Sequence, residues 1–263
     1  MTSKPHAVLT IFAAGLAIGT ASTTIAQDDT PPTVYLEAHC MKARNADYAN
    51  VETDLWQPVQ QELVNQGRKL SWALYAVRYG DRSRCTHYTV DFYLGREQFE
   101  RASDFSDVVS KVHPGKDMAG IYAQTVAARD TNESLLWILE DSTDIGAFSH
   151  VRINWMSTDD PEAYVKMERE VFKPVHEAMI AGGQLAGWAL YRLASPTGSA
   201  LPFNYSSADL LYTVTPLDNQ DEAWATVHPD MDALETMEKM DSIRTLVRSE
   251  TWDLVARTSP PGG

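Results

Sequence analysis

The chain writes Trp-Ala-Leu-Tyr twice, in "SWALY" at 71–75 and in "GWALY" at 187–191. The match extends well beyond those residues. "YANVETDLWQPVQQELVNQGRKLSWALY" (48–75) falls without a gap on "YVKMEREVFKPVHEAMIAGGQLAGWALY" (164–191). Nine of the 28 positions are identical: Tyr48, Glu52, Pro58, Val59, Gly67, Trp72, Ala73, Leu74 and Tyr75. Others keep their character, such as Leu55 on Val171 and Trp56 on Phe172. A second echo lies at an offset of 115, where "VHP" at 112–114 meets "VHP" at 227–229 and Trp137 meets Trp252. Self-similarity at a fixed period marks repeated structural units that bury surface against one another. The copies span about residues 33–140 and 149–257, joined by "DSTDIGAF" at 141–148.

One copy reads as β-α-β-β-α-β. "TVYLEAHC" alternates and is β-rich, so it is a strand. Tyr48, Val51, Leu55, Val59 and Leu63 recur at spacings of three and four, which predicts an amphipathic helix over 47–66. Pro58 lies inside this helix and Pro174 inside its counterpart. A proline there removes a backbone donor and bends the axis, so both helices are expected to kink. Gly67 and Gly183 suit the helix ends. "KLSWALYAVRY" is a strand, "GDRSR" turns the chain and "CTHYTVDFYL" returns it. A helical region over 96–128 leads to the strand "ESLLWILE". The second copy repeats the order at 150–156, 161–181, 184–194, 208–215, 218–247 and 250–257, with a longer hairpin loop, "ASPTGSALPFNYSS".

This order is the ferredoxin-like split βαβ motif, an α+β unit with helices on one face of a four-stranded sheet. Two such units can cover each other's open faces by closing into one barrel, which also protects the sheet edges. On element order and duplication the chain resembles the dimeric α+β barrel superfamily, fused in tandem. That superfamily includes antibiotic-biosynthesis-type monooxygenases, EthD-like and NIPSNAP-like proteins, and the haem-binding chlorite dismutase and dye-decolourising peroxidase groups. The resemblance implies a small-molecule site inside the barrel or between sheet and helices. It makes haem available as a cofactor, although no motif calls for one.

The first residues read as an export signal. Lys4 and His6 precede the apolar run "AVLTIFAAGLAIG" (7–19), and "TTIA" ends a small-residue region before Gln27. The run is shorter than the roughly 20 residues a membrane helix needs. Residues 1–26 are therefore expected to leave a mature chain of 237 residues, Gln27 to Gly263, periplasmic or secreted and without a membrane span. Losing Lys4 moves the formal charge from −14 to −15. So acidic a chain has little with which to neutralise phosphates, which argues against nucleic acid or anionic lipid as partner. Two cysteines in an oxidising compartment, Cys40 and Cys85, suggest a disulfide, and the motif places the end of strand one near the start of strand three. Two thiols are too few for a structural zinc site.

Strand alternation separates the candidate chemical groups. Val34, Leu36, Ala38 and Cys40 form an apolar set expected to pack on helices, leaving Tyr35, Glu37 and His39 toward the barrel. His87 and Asp91 follow on the third strand, and His150, Arg152 and Asn154 on the first strand of copy two. In a partly dry cavity, Glu37 or His39 could exchange a proton while Arg152 stabilises developing negative charge. Tyr35, His87, Asp91, His150 and Asn154 would then contact ligand. The same set could equally be a hydrogen-bonded polar interior, or His39 and His87 with a carboxylate could hold a metal. His113 and His228 fit a structural helix boundary, because a residue before proline avoids helical angles; a haem-ligand role is the alternative. Trp72 and Trp188 read as core, with Tyr75 and Tyr191 on the opposite strand face. Three functions follow: a cofactor-independent enzyme on a small organic molecule, a non-catalytic binding module, or a haem protein. One chain can build the barrel alone, as a monomer or within a homo-oligomer.

Overall fold

The computed structural model describes residues 32–101, 105–198, 201–214 and 220–261. The expected export signal, 1–26, lies outside the described residues. Among the described residues no helix is long and apolar enough to cross a membrane. Eight strands form: β1 (Val34–Ala43), β2 (Ser71–Tyr79), β3 (His87–Leu94), β4 (Arg129–Ser142), β5 (His150–Thr158), β6 (Gly187–Ser195), β7 (Tyr205–Leu211) and β8 (Arg244–Arg257). They pair antiparallel in the closed ring β1-β3-β2-β8-β5-β7-β6-β4. Each copy contributes the ferredoxin-like order, β4-β1-β3-β2 and β8-β5-β7-β6. The contacts β2–β8 and β4–β6 join the copies and close the barrel.

The long amphipathic helices carry the expected prolines in an unexpected way. In copy one, the α-helical turn Tyr48–Val51 passes into a π turn, Glu52–Trp56, before α-helix resumes at Gln57–Asn65. Copy two repeats this with Pro161–Met167, Glu168–Phe172 and Lys173–Ala181. Pro58 and Pro174 thus fall in the first turn of the resumed helix, where a missing N–H costs little. The widened turn absorbs the defect that the sequence presents as a kink. His113 and His228 complete the arrangement. Their Nε2 atoms lie 2.8 Å from the Leu55 carbonyl oxygen and 2.9 Å from that of Val171. A carbonyl only accepts, so each ring donates to a π-turn residue. His113 itself ends the helix Ser106–Val112 at φ −120°, ψ 70°, the non-helical geometry its proline imposes.

Three boundaries differ from expectation. The region 96–128 divides into the helices Gly95–Glu100, Ser106–Val112 and Met118–Ala128. The region 218–247 holds Gln220–Val227 and Ala233–Ile243, and β8 begins already at Arg244. Strand β7 runs from Tyr205 to Leu211 rather than over 208–215. Tyr205 is buried edge-on against Tyr164 at 5.2 Å, whereas Tyr212 is exposed.

The largest correction concerns strand facing. The alternate set Leu36, Ala38 and Cys40 of β1 packs inside the barrel with Tyr88 and Val90 of β3, Val151 and Trp155 of β5, and Trp252 of β8. Trp72, Leu74, Trp188 and Leu190 point outward and pack beneath helices. The closed ring turns one face of its strands inward, where the apolar alternates pack together, and the helices cover a mixed outer face. Cys40 and Cys85 form a disulfide with Cα atoms 5.3 Å apart. Cys85 precedes β3 in a turn, so strand alternation does not constrain it and it can meet the inward-facing Cys40.

Candidate functional site

The barrel encloses a cavity of about 770 Å³, within the usual range for small-molecule sites. Its wall is apolar, with aromatic rings set among aliphatic side chains. Trp137 and Trp155 lie 5.6 Å apart, Trp252 lies 5.9 Å from Tyr75, and Phe92 and Phe148 add further rings. Ala73, Ala189 and Ala208 leave the space that these rings surround. Tyr75 and Tyr191, the last residues of the two Trp-Ala-Leu-Tyr segments, both line it. Burial pushes both hydroxyls well above the ordinary tyrosine pKa, so they are neutral donors. The charge of Arg257 opposes the rise at Tyr75, and Tyr75 adds to it at Tyr191. Among the described residues neither hydroxyl has a hydrogen-bond partner. Arg257 is the one charged residue lining the cavity among those described, and its guanidinium lies 5.6 Å from the Phe148 ring centre.

The mouth is built by two related straps. After β4 the connector supplies Ile145, Gly146, Ala147 and Phe148; after β8 the chain supplies Thr258, Ser259, Pro260 and Pro261. A threonine pins each strap to the tryptophan of the opposite copy. Trp188 donates its N–H to Thr143 Oγ1 at 2.9 Å and accepts from Thr143 N at 3.0 Å. Trp72 and Thr258 repeat both contacts at 2.9 Å. The second strap is further fixed by Gln57 and Gln61, which bond the backbone of Arg257 and Ser259. The connector also explains one sequence difference. A Cβ at Gly187 would come within 3.2 Å of Asp144 O and Ile145 Cα, so the serine of "SWALY" becomes glycine in "GWALY".

The polar residues singled out from sequence lie outside the barrel, on several separate sets of partners. Glu37, His39 and Asp91 share a cleft of about 510 Å³ with Gln60, Lys69 and Tyr93. The buried Lys69 ammonium pairs with Asp91 and with Gln60. His39 lies 2.8 Å from Ser134 Oγ through Nδ1 and 3.7 Å from Asp91 through Nε2, and Tyr93 donates to Glu37 at 3.2 Å. Tyr35 stacks on Phe99 at 5.2 Å. Arg152 and Asn154 lie on the other side of the ring, where both bond Asp209, at 3.0 and 3.3 Å. His150 pairs with Asp253 at 2.7 Å, and His87 lies edge-on to Tyr48 at 4.9 Å with its pKa lowered to about 4 by burial. Arg152 therefore does not join Glu37 and His39, because β1 and β5 sit on opposite sides of the ring. Strand register makes the two sets counterparts: Glu37 faces Asp91 as Arg152 faces Asp209.

No family model matches the sequence, and no curated protein matches it. Solved structures do match. A candidate monooxygenase from Fusobacterium nucleatum subsp. nucleatum superposes with a TM-score of 0.50 at 13% identity, over 88% of this chain and 97% of its own. A candidate monooxygenase from Lactobacillus acidophilus NCFM gives 0.48 at 10% identity, over 88% and 97%. A haem-binding protein from Thermus thermophilus gives 0.46 at 9% identity, over 86% and 92%. The fold is that of the dimeric α+β barrels. At such identities the likeness shows the fold alone.

The expectation of haem from the sequence resemblance can be tested on the residues present. No His, Cys or Met lines the inner cavity among the described residues, and burial disfavours the phenolate form of its two tyrosines. In the outer cleft, His39 already faces Ser134 and Asp91, Lys69 is already paired with Asp91, and Glu37 and Glu100 would repel haem carboxylates. These residues do not fit a haem. Among the described residues no group of three or more His, Cys, Asp or Glu is disposed to hold a metal ion. Sequence reasoning missed Arg257 and the inward role of Trp137, Trp155 and Trp252. The signal was present, since Trp137 and Trp252 are repeat counterparts and Tyr75 was already set opposite Trp72.

Proposed function

We propose that the protein is an exported barrel that binds a small, ring-bearing organic molecule in its central cavity. The carrying observation is an apolar cavity of about 770 Å³ inside the ring, with aromatic rings and two tyrosines in its wall. Such a site gains affinity from apolar area and takes its orientation from few polar groups. The signal-like residues 7–19 and the disulfide support export; the protein recovered from its host should begin at Gln27. Ligand binding is tested by tryptophan fluorescence, since Trp137, Trp155 and Trp252 line the cavity. A naphthalene probe should quench emission saturably, and A208W should abolish that by filling the space. Saturable quenching unchanged in folded A208W would contradict the reading.

A second reading is acid–base chemistry on a polar substrate in the outer cleft, favoured by the convergence of Glu37, His39, Lys69 and Asp91. There Lys69 and Asp91 would fix the charge balance while His39 moves a proton. For any turnover found, H39Q should lower kcat while R152Q leaves it intact. Equal loss in both variants would dismiss this cleft as the site.

A further inference from the structure

Arginine in this protein is nearly always neutralised. Arg44, Arg78, Arg84, Arg129, Arg152 and Arg169, among others, sit in ion pairs. Among the described residues Arg257 has no such partner, in a chain of formal charge −14. It is also placed with care. It ends β8 at the cavity mouth, its backbone carbonyl is held by Gln57 at 3.0 Å, and its guanidinium lies over Phe148. No Asp or Glu lines the cavity among the described residues. An apolar, aromatic chamber thus carries one unneutralised cation at its entrance, and the guanidinium fork is shaped for a carboxylate.

We infer that the ligand of this cavity is an aromatic monoanion, its ring held among Trp137, Trp155 and Trp252 and its carboxylate or equivalent acid group bound at the mouth by Arg257. This rests on the reading of the cavity as the binding site. The aromatic wall prefers planar rings to flexible chains, because edge and face contacts add to simple burial. A dianion would leave its second charge without a cation, since among the described residues Arg257 is the sole charge in the lining. The half of the ligand past the mouth must therefore be neutral.

The test uses two probes that differ only in charge, 2-naphthoate and 2-naphthamide, titrated against the full chain by tryptophan fluorescence. The wild type should bind 2-naphthoate about tenfold more tightly, the effect expected of one charge-assisted hydrogen-bonded pair. R257Q should bring that ratio to about one, and R257K should retain part of it. Thermal melts of each variant report whether it is folded. Raising salt to about 1 M should weaken 2-naphthoate selectively, because the mouth is open to solvent. Equal affinity for both probes in the wild type, or a tenfold preference persisting in R257Q, overturns the inference while leaving the cavity reading intact. If neither probe binds, the cavity reading fails and the inference with it.

Discussion

At the scale of single residues, burial decides which groups carry charge. Glu168 begins the π turn of the second long helix, and burial raises its pKa to about 7 against the opposing effects of Tyr164 and Arg244. A carboxyl whose folded pKa exceeds its unfolded one contributes stability that is complete below about pH 4.5 and is lost as pH rises through 7. Chemical denaturation should therefore show wild type falling relative to E168Q between about pH 5 and pH 8, by a few kcal/mol at most. A pH-independent difference would remove Glu168 as the cause. His87 acts in the opposite sense. Its pKa of about 4 means that stability is lost as pH falls below the ordinary histidine value. Inside the barrel, Tyr75 and Tyr191 should matter for recognition more than for folding, since neither hydroxyl is used by the protein. Y75F and Y191F should each weaken a hydroxyl- or carbonyl-bearing ligand by about threefold to tenfold, a typical hydrogen-bond contribution. Calorimetric titration that finds no change in either variant would assign them to packing alone.

At the scale of elements, the duplication repeats small devices as well as strands. The π turns at Glu52–Trp56 and Glu168–Phe172 and the histidines that bond them recur together. So do the strap threonines. T143V and T258V should each cost about 1 kcal/mol, and by similar amounts, because each loses the same acceptor for a tryptophan N–H. The disulfide has no counterpart in copy two, and it closes a separation of 45 residues. Reduction should lower stability by roughly 2–4 kcal/mol, as constraint is removed from the unfolded chain, and thiol titration of the unreduced, unfolded protein should find no free thiol. Much of this level was legible in the sequence. Alternation and 3.6-residue periodicity located the strands and long helices, and Cys40 and Cys85 fell where the motif brings them together. The π turns were not legible, because a proline in a helical pattern has the same signature whether the axis kinks or the turn widens. The end of β7 was misplaced because "LLYTV" continues a strand pattern after the burial has ended at Leu211.

At the scale of the whole molecule, a ring built from two copies separates inside from outside more sharply than one sheet does. The sequence shows two alternating faces on each strand but not which of them meets the axis. Glu37, His39 and Arg152 form one plausible set only if polar faces turn inward. The closed ring places them outward, and on opposite sides. Both faces of β1 have neighbours to satisfy, an apolar axis on one side and a helix layer with a polar cleft on the other, so alternation alone could not choose. Once facing is known, the repeated tyrosines become a pair within the barrel, and Trp137 and Trp252 become parts of the same chamber wall. The most direct test is a crystal structure of the protein grown with 2-naphthoate. Ligand density inside the ring, among Trp137, Trp155 and Trp252 with its carboxylate toward Arg257, is the expected result. An axis without ligand, with the ligand instead in the outer cleft beside His39 and Asp91, would contradict it.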